Sequence, residues 1–164
     1  MERTRLVFRP IDLDAHAPVC VEFRRDSFIC SFGADGFLAE AGVAGVHYIE
    51  RLRSRTAKFR DGYVHAWLGD TIVGQIEMQI LEEPRIGYVN LFYLVERLRG
   101  GGLGDELQAY SMGFMARHGV DTVRLSVSPS NARAVAYYRK HGWQDLGLRP
   151  GRDDVHLMER TVPL

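Results

Sequence analysis

Apolar and polar positions change period several times along the chain, and each change marks an element. Val123, Leu125 and Val127 alternate with Arg124 and Ser126, the period of a half-buried strand. Pro129 ends it, because proline cannot donate to a central ladder. Tyr63–Leu68 and Thr71–Ile80 read as strands joined by the short hairpin Gly69-Asp70. Glu82–Arg85 forms a second turn, and Ile86–Val95 is a long strand. Leu103, Leu107, Tyr110, Phe114 and Met115 recur at helical spacing, with Gly119 as the stop. Near the start, Leu6–Arg9 is a strand and Asp12 caps a helix running to about Arg25. Val46–Arg53 is a short amphipathic helix; Gly33, Gly36, Gly42 and Gly45 break the stretch before it into loop with some helix. Asn131–His141 is a helix closed by Gly142, and Trp143–Leu148 and Val155–Val162 pair around Pro150-Gly151. The order β-α-α-β-β-β-α-β-α-β-β is that of an α+β chain.

At 164 residues the chain is long enough for one domain, spanning 1–164, with a sizeable core. Twenty-one basic and twenty-one acidic residues cancel. That balance gives no general attraction to nucleic acid or to an anionic membrane. No apolar run is long enough to span a bilayer, and no signal-peptide segment follows Met1–Arg5. Cys20 and Cys30 form no C-x-x-C pair and read as reduced thiols in a cytoplasmic protein. The six histidines are scattered without metal-ligand spacing, so no metal is expected. Gly-x-Ser-x-Gly is absent.

The most informative stretch is Leu91–Gly104. An apolar run ends, Arg97 and Arg99 follow, and four glycines occupy Gly100, Gly101, Gly102 and Gly104 just where a helix begins. Glycine lets backbone approach a ligand closely, and the first N–H groups of a helix lack partners. Together these favour a phosphate. A Walker A loop is excluded, because Asp105 and Glu106 follow Gly104 where Lys-Ser/Thr is needed. The dinucleotide fingerprint fails too: its third glycine would fall on Asp105 or Leu107.

Arg99-x-x-Gly102-x-Gly104 fits a third pattern, R-x-x-G-x-G. It resembles the acetyl-CoA pyrophosphate loop of the GNAT superfamily of N-acetyltransferases. Asn131–Trp143 is similar to that family's later signature, an Asn opening a helix, then Tyr138, then Lys-x-Gly-aromatic. Arg5–Asp12 resembles the first strand, and the likeness is weakest between Ser27 and Arg60. The resemblance implies a mixed sheet of about seven strands with about four helices, splayed between the strand before the loop and the next strand. It implies an acyltransferase that moves acetyl from acetyl-CoA to an amine of a small molecule or peptide by direct attack on the thioester. The pantetheine arm would lie along Tyr93, Leu94 and Val95. The pyrophosphate would rest on Arg99, Gly100, Gly101, Gly102, Leu103 and Gly104, with Asn131 on the neighbouring helix. Tyr138 would be the general acid toward the leaving thiolate, with Tyr137 the alternative by one residue. A homodimer is compatible with the resemblance.

The general base stays open. Some family members carry a Glu about six residues before the position of Leu94, and here that position is Tyr88. Glu77, Tyr88 and Asn90 are the candidates for base or acceptor pocket. Glu77 lies between Gln75 and Gln79 on a polar face, as a solvated side chain would. Asn90 is a polar residue inside an apolar strand and needs a partner or a water to order. Arg51, Arg53, Arg55, Lys58 and Arg60 form either a solvated helix face or the rim of an acceptor site selecting an acidic substrate. The rival from another class is a catalytically silent acyl-CoA-binding regulatory module, which would keep the glycine loop.

Overall fold

The computed structural model describes residues 5–33, 37 and 41–163. The N-terminal residues Met1–Thr4 and the glycine break at Gly36 lie outside them. Seven strands form one sheet: β1 (Val7–Pro10), β2 (Tyr63–Leu68), β3 (Thr71–Ile80), β4 (Gly87–Leu94), β5 (Thr122–Val127), β6 (Gln144–Leu148) and β7 (His156–Thr161). Their spatial order is β1-β2-β3-β4-β5-β7-β6, and only β4 and β5 run parallel. Helices α1 (Leu13–Phe32) and α2 (Val46–Lys58) cover one face; α3 (Leu103–Arg117) and α4 (Ala132–Lys140) cover the other.

Binary patterning explains the two layers. Ile76, Met78 and Ile80 of β3 join Leu107, Phe114 and Met115 of α3 in the main core. On the other face Leu13 and Cys20 of α1 pack with Tyr48 and Leu52 of α2 and with Tyr63. Phe23 of α1 packs on Leu91 and Tyr93 of β4.

Helix α1 runs well past Arg25. Asp12 caps it through Oδ1, accepting from the N–H groups of Asp14 and Ala15. Pro18 is accommodated because His16 leaves helical geometry, and the helix stops only at Gly33, whose N–H bonds the Ile29 carbonyl. Helix α2 likewise extends to Lys58, so the run Arg51–Lys58 is helical, with Arg55 one turn beyond the buried Leu52.

Two irregularities create the central gap. β4 and β5 pair only at Gly87–Val123, Tyr88–Arg124 and Val89–Leu125, and then diverge. The β3–β4 register slips between Glu77 and Met78, which leaves Asn90 as a bulge residue with no opposite number. The bulge bends β4 away from β5 and leaves its C-terminal half with a free edge.

Candidate active site

The glycine loop enters α3 through Gly102, which sits at the N-cap with φ 91°. Only glycine takes this conformation readily. No side chain caps the helix. The acids of its first turn face elsewhere: Asp105 pairs with His141 at 2.8 Å, and Glu106 accepts from the N–H groups of Arg5 and Leu6. The end of α3 therefore presents uncapped N–H groups, beginning at Leu103, whose own side chain is buried in the core. Gly104 has a packing reason as well: a Cβ there would lie 3.1 Å from the Tyr137 hydroxyl.

Arg99 is placed differently from the sequence expectation. Its Nε donates to the Leu94 carbonyl at 2.8 Å, and its guanidinium pairs with Asp26 of α1 at 3.3 Å and lies over the Tyr93 ring. It clamps the end of β4 to α1. A guanidinium that sequence reasoning missed stands beside the loop: a Cβ on Gly100 would be 3.8 Å from Arg133. Its only sequence signal was its place two residues after Asn131. Asn131 itself caps α4, accepting from the Ala134 N–H at 3.2 Å, so its side chain has a structural task. Tyr93 and Leu94 are buried, and Val95 donates its N–H to the Val73 carbonyl; what remains for a ligand is the β5-facing edge of β4.

Tyr138 projects from α4 with its ring edge-on to Phe92 of β4 and to Trp143. Desolvation alone holds its hydroxyl well above the ordinary phenol range. Tyr137 faces another way. Its ring lies edge-on to His141, and its buried hydroxyl has no hydrogen-bond partner among the described residues.

On the α1 side of the gap is a cavity of about 420 Å³. Tyr88 and Asn90 both line it; Glu77 does not. Tyr88 is hydrogen-bonded to Ser126 of β5, across the point where the strands part. Asn90 accepts from Gln79 Nε2 at 2.9 Å, and its carbonyl accepts from Arg24 at 3.3 Å.

Glu77 corrects the expectation of a solvated side chain. It is 2% exposed, beneath α2, and accepts from the Tyr48 hydroxyl and from Gln75 Nε2 at 2.8 Å. Gln75 Oε1 in turn bonds His65 at 2.8 Å, and His65 contacts the Cys20 thiol at 3.5 Å. Polar spacing on β3 marked a buried network, because α2 lies over it. Glu77→Leu is expected to lower stability by about 2–3 kcal/mol in urea unfolding, since Tyr48 and Gln75 lose their shared acceptor. Glu77→Gln keeps an acceptor oxygen and should leave turnover within about threefold of wild type, unlike loss of a general base.

Burial pushes His65 down from 6.5 to about 4. The unfolded chain thus takes up a proton below about pH 6.5 that the folded chain refuses until about pH 4. Stability should be full above this window and fall as pH drops through it, with a slope contribution approaching ~1.4 kcal/mol per pH unit. Urea midpoints at pH 7.5 and 5 should differ less in His65→Gln than in wild type.

Cys20 is buried and Cys30 exposed, and both are free thiols. Burial raises the Cys20 thiol to about 12, which makes it inert as a nucleophile. Among the described residues no His, Cys, Asp and Glu cluster is spaced to hold a metal ion, and no helix is long and apolar enough to cross a membrane.

The model of the Acetyltransferase (GNAT) family matches residues 28–143, a span holding the bulge, the loop and α4. Mycothiol acetyltransferase of Salinispora arenicola is 41% identical over 61 residues, covering 37% of this chain and 20% of that protein. The Streptomyces bingchenggensis protein of the same name is 32% identical over 83 residues, 51% of this chain and 27% of its own. The chain thus spans about a quarter or less of the length of these curated relatives. PaiA N-acetyltransferase of Thermoplasma acidophilum, solved with coenzyme A, superposes with a TM-score of 0.77 at 18% identity, over 95% of this chain and 98% of that one. YncA of Salmonella typhimurium, a putative acetyltransferase solved with acetyl-CoA, gives 0.69 at 16% identity, over 97% and 95%. At such identities the likeness is one of fold. The family model covers more than half of the chain, including the parallel pair β4–β5 and the glycine-entered helix α3, and the chain belongs to the GNAT acetyltransferase family.

Proposed function

We propose that the protein is an N-acetyltransferase that moves the acetyl group of acetyl-CoA to an amine of a small molecule or peptide. The observation that carries this is the uncapped, glycine-entered end of α3 beside the free edge of β4, with Tyr138 on the neighbouring helix. A pyrophosphate would rest on the N–H groups of Gly102, Leu103 and Gly104, with Arg133 supplying charge. A pantetheine arm would pair with the open edge of β4 like an added strand.

In the reaction the neutral amine nitrogen attacks the thioester carbonyl. A C–N bond forms, the C–S bond breaks, the amine gives up a proton and the sulfur gains one. N–H groups of β4 near the bulge are the candidates for stabilising the oxyanion. Tyr138 supplies the proton to sulfur; its raised pKa keeps it protonated across the working pH range. Removal of the amine proton falls to water ordered by Tyr88 and Asn90, since Glu77 is sealed away from the cavity.

The test is an amine panel with acetyl-CoA, following release of free thiol. Amine-dependent thiol release with formation of the acetylated amine is the expected result. Tight coenzyme A binding with no acceptor turned over would favour the silent acyl-CoA-binding module.

A further inference from the structure

The cavity beside Asn90 has a chemistry of its own. Arginines reach it from three parts of the chain: Arg24 from α1, Arg55 from α2, and Arg149 and Arg152 from the β6–β7 connection. No Asp or Glu lines it among the described residues. The chain as a whole is neutral, so this is a local concentration of charge. Arg24 donates to the Asn90 carbonyl, and Arg152 is paired with Asp154 at 2.8 Å. Arg149 donates to the neutral hydroxyls of Ser126 at 3.2 Å and Tyr88 at 3.4 Å and lies over the Tyr88 ring. Arg55 stands on the α2 wall, one turn beyond Leu52 and near the Tyr63 phenol.

We infer that the acceptor is an amine that also carries an anionic group, a carboxylate or a phosphate, held by Arg55 and Arg149 across the cavity. The inference rests on the acetyl-transfer function proposed above and specifies its second substrate. Guanidinium groups match carboxylate and phosphate oxygens with paired N–H donors. Ser126 on β5, Ser128 just beyond its end and Asn90 on β4 add neutral donors to the same space. Phe28 and Phe32, tilted against each other with centroids 4.8 Å apart on α1, give an apolar wall for a short carbon chain.

The same charges bear on the chemistry. An ammonium group brought beside guanidinium groups is disfavoured relative to the neutral amine, so its pKa falls. The neutral form is the one that attacks. A basic cavity therefore anchors the acidic end of such a substrate and helps its amine shed a proton without a protein carboxylate. An acceptor bearing only positive charges would meet repulsion here.

The experiment compares matched acceptors by thiol release. Alanine is set against alaninamide and ethylamine, and phosphoethanolamine against ethanolamine. We expect at least one acid-bearing member to exceed its neutral partner by roughly tenfold or more in kcat/KM, and the arm that responds tells carboxylate from phosphate. Arg149→Gln and Arg55→Gln should each erase most of that preference, while calorimetric affinity for coenzyme A stays at the wild-type value and reports an intact fold. Equal use of acidic and neutral partners, or a preference that survives both substitutions, would overturn the proposal. If coenzyme A binds and no amine of any kind is acetylated, acetyl transfer is what fails. The anion site then stands or falls on calorimetric binding of phosphoethanolamine and alanine: binding lost in Arg149→Gln supports it, and no binding to wild type rejects it.

Discussion

Tyr138→Phe should lower turnover by roughly a hundredfold or more while coenzyme A affinity changes by less than about threefold. Phenylalanine keeps the ring against Phe92 and Trp143, so packing is preserved. Only the proposed proton donor is lost, and in that role it is needed only as the thiolate departs. A loss confined to kcat would show that the interaction belongs to the transition state. Tyr137→Phe is the control. Its hydroxyl is buried without a hydrogen-bond partner, so removing it should leave the rate near wild type and relieve an unsatisfied group. A larger loss in Tyr137→Phe than in Tyr138→Phe would move the acid by one residue.

Gly102→Val should weaken coenzyme A binding by about 2–3 kcal/mol, or roughly 30- to 150-fold, in calorimetric titration. Space is not the reason, since a Cβ at Gly102 would meet nothing within 4 Å. The reason is the backbone. At φ 91° a β-branched residue is strained, and relaxing that strain turns the first N–H groups of α3 away from a phosphate. Gly101→Ala tests the distinction: that position is not left-handed, and its Cβ would have only the Leu98 carbonyl at 3.7 Å. It should bind within a few-fold of wild type. Unchanged affinity in Gly102→Val would remove the loop from the phosphate site.

Much of the architecture was legible because its signals were local. The bounds of β2 and β3 follow directly from their apolar runs and the Gly69 turn. The sheet splay was an implication of the family resemblance, and it lies where β4 and β5 stop pairing. Helix α1 was read too short because Ser27, Cys30 and Ser31 are weak helix formers; tertiary packing of Phe23 and Phe28 carries it on. Glu77 was misjudged for a related reason. Alternation on β3 tells which residues share a face, and it cannot tell that α2, some twenty-five residues earlier, covers that face. Asn90 stood out as a polar residue in an apolar strand, and the structure adds that it is the bulge. Arg149 and Arg152 gave no warning at all. They lie in a turn-like stretch and reach the cavity only because β6 and β7 pair beside β5.

The hydrogen bond between Tyr88 and Ser126 closes the gap at the depth where the parallel pairing ends, with Arg149 laid against it. Beyond that clasp the glycine-entered helix belongs to one face of the sheet and the arginine-lined cavity to the other. Two substrates would then enter by opposite doors and meet at Asn90. Neither would have to leave for the other to arrive. The kinetic signature is a ternary complex: initial-rate lines that intersect, with no requirement for donor before acceptor. Parallel lines would instead signal an acyl-enzyme, for which the buried, strongly protonated Cys20 offers no nucleophile.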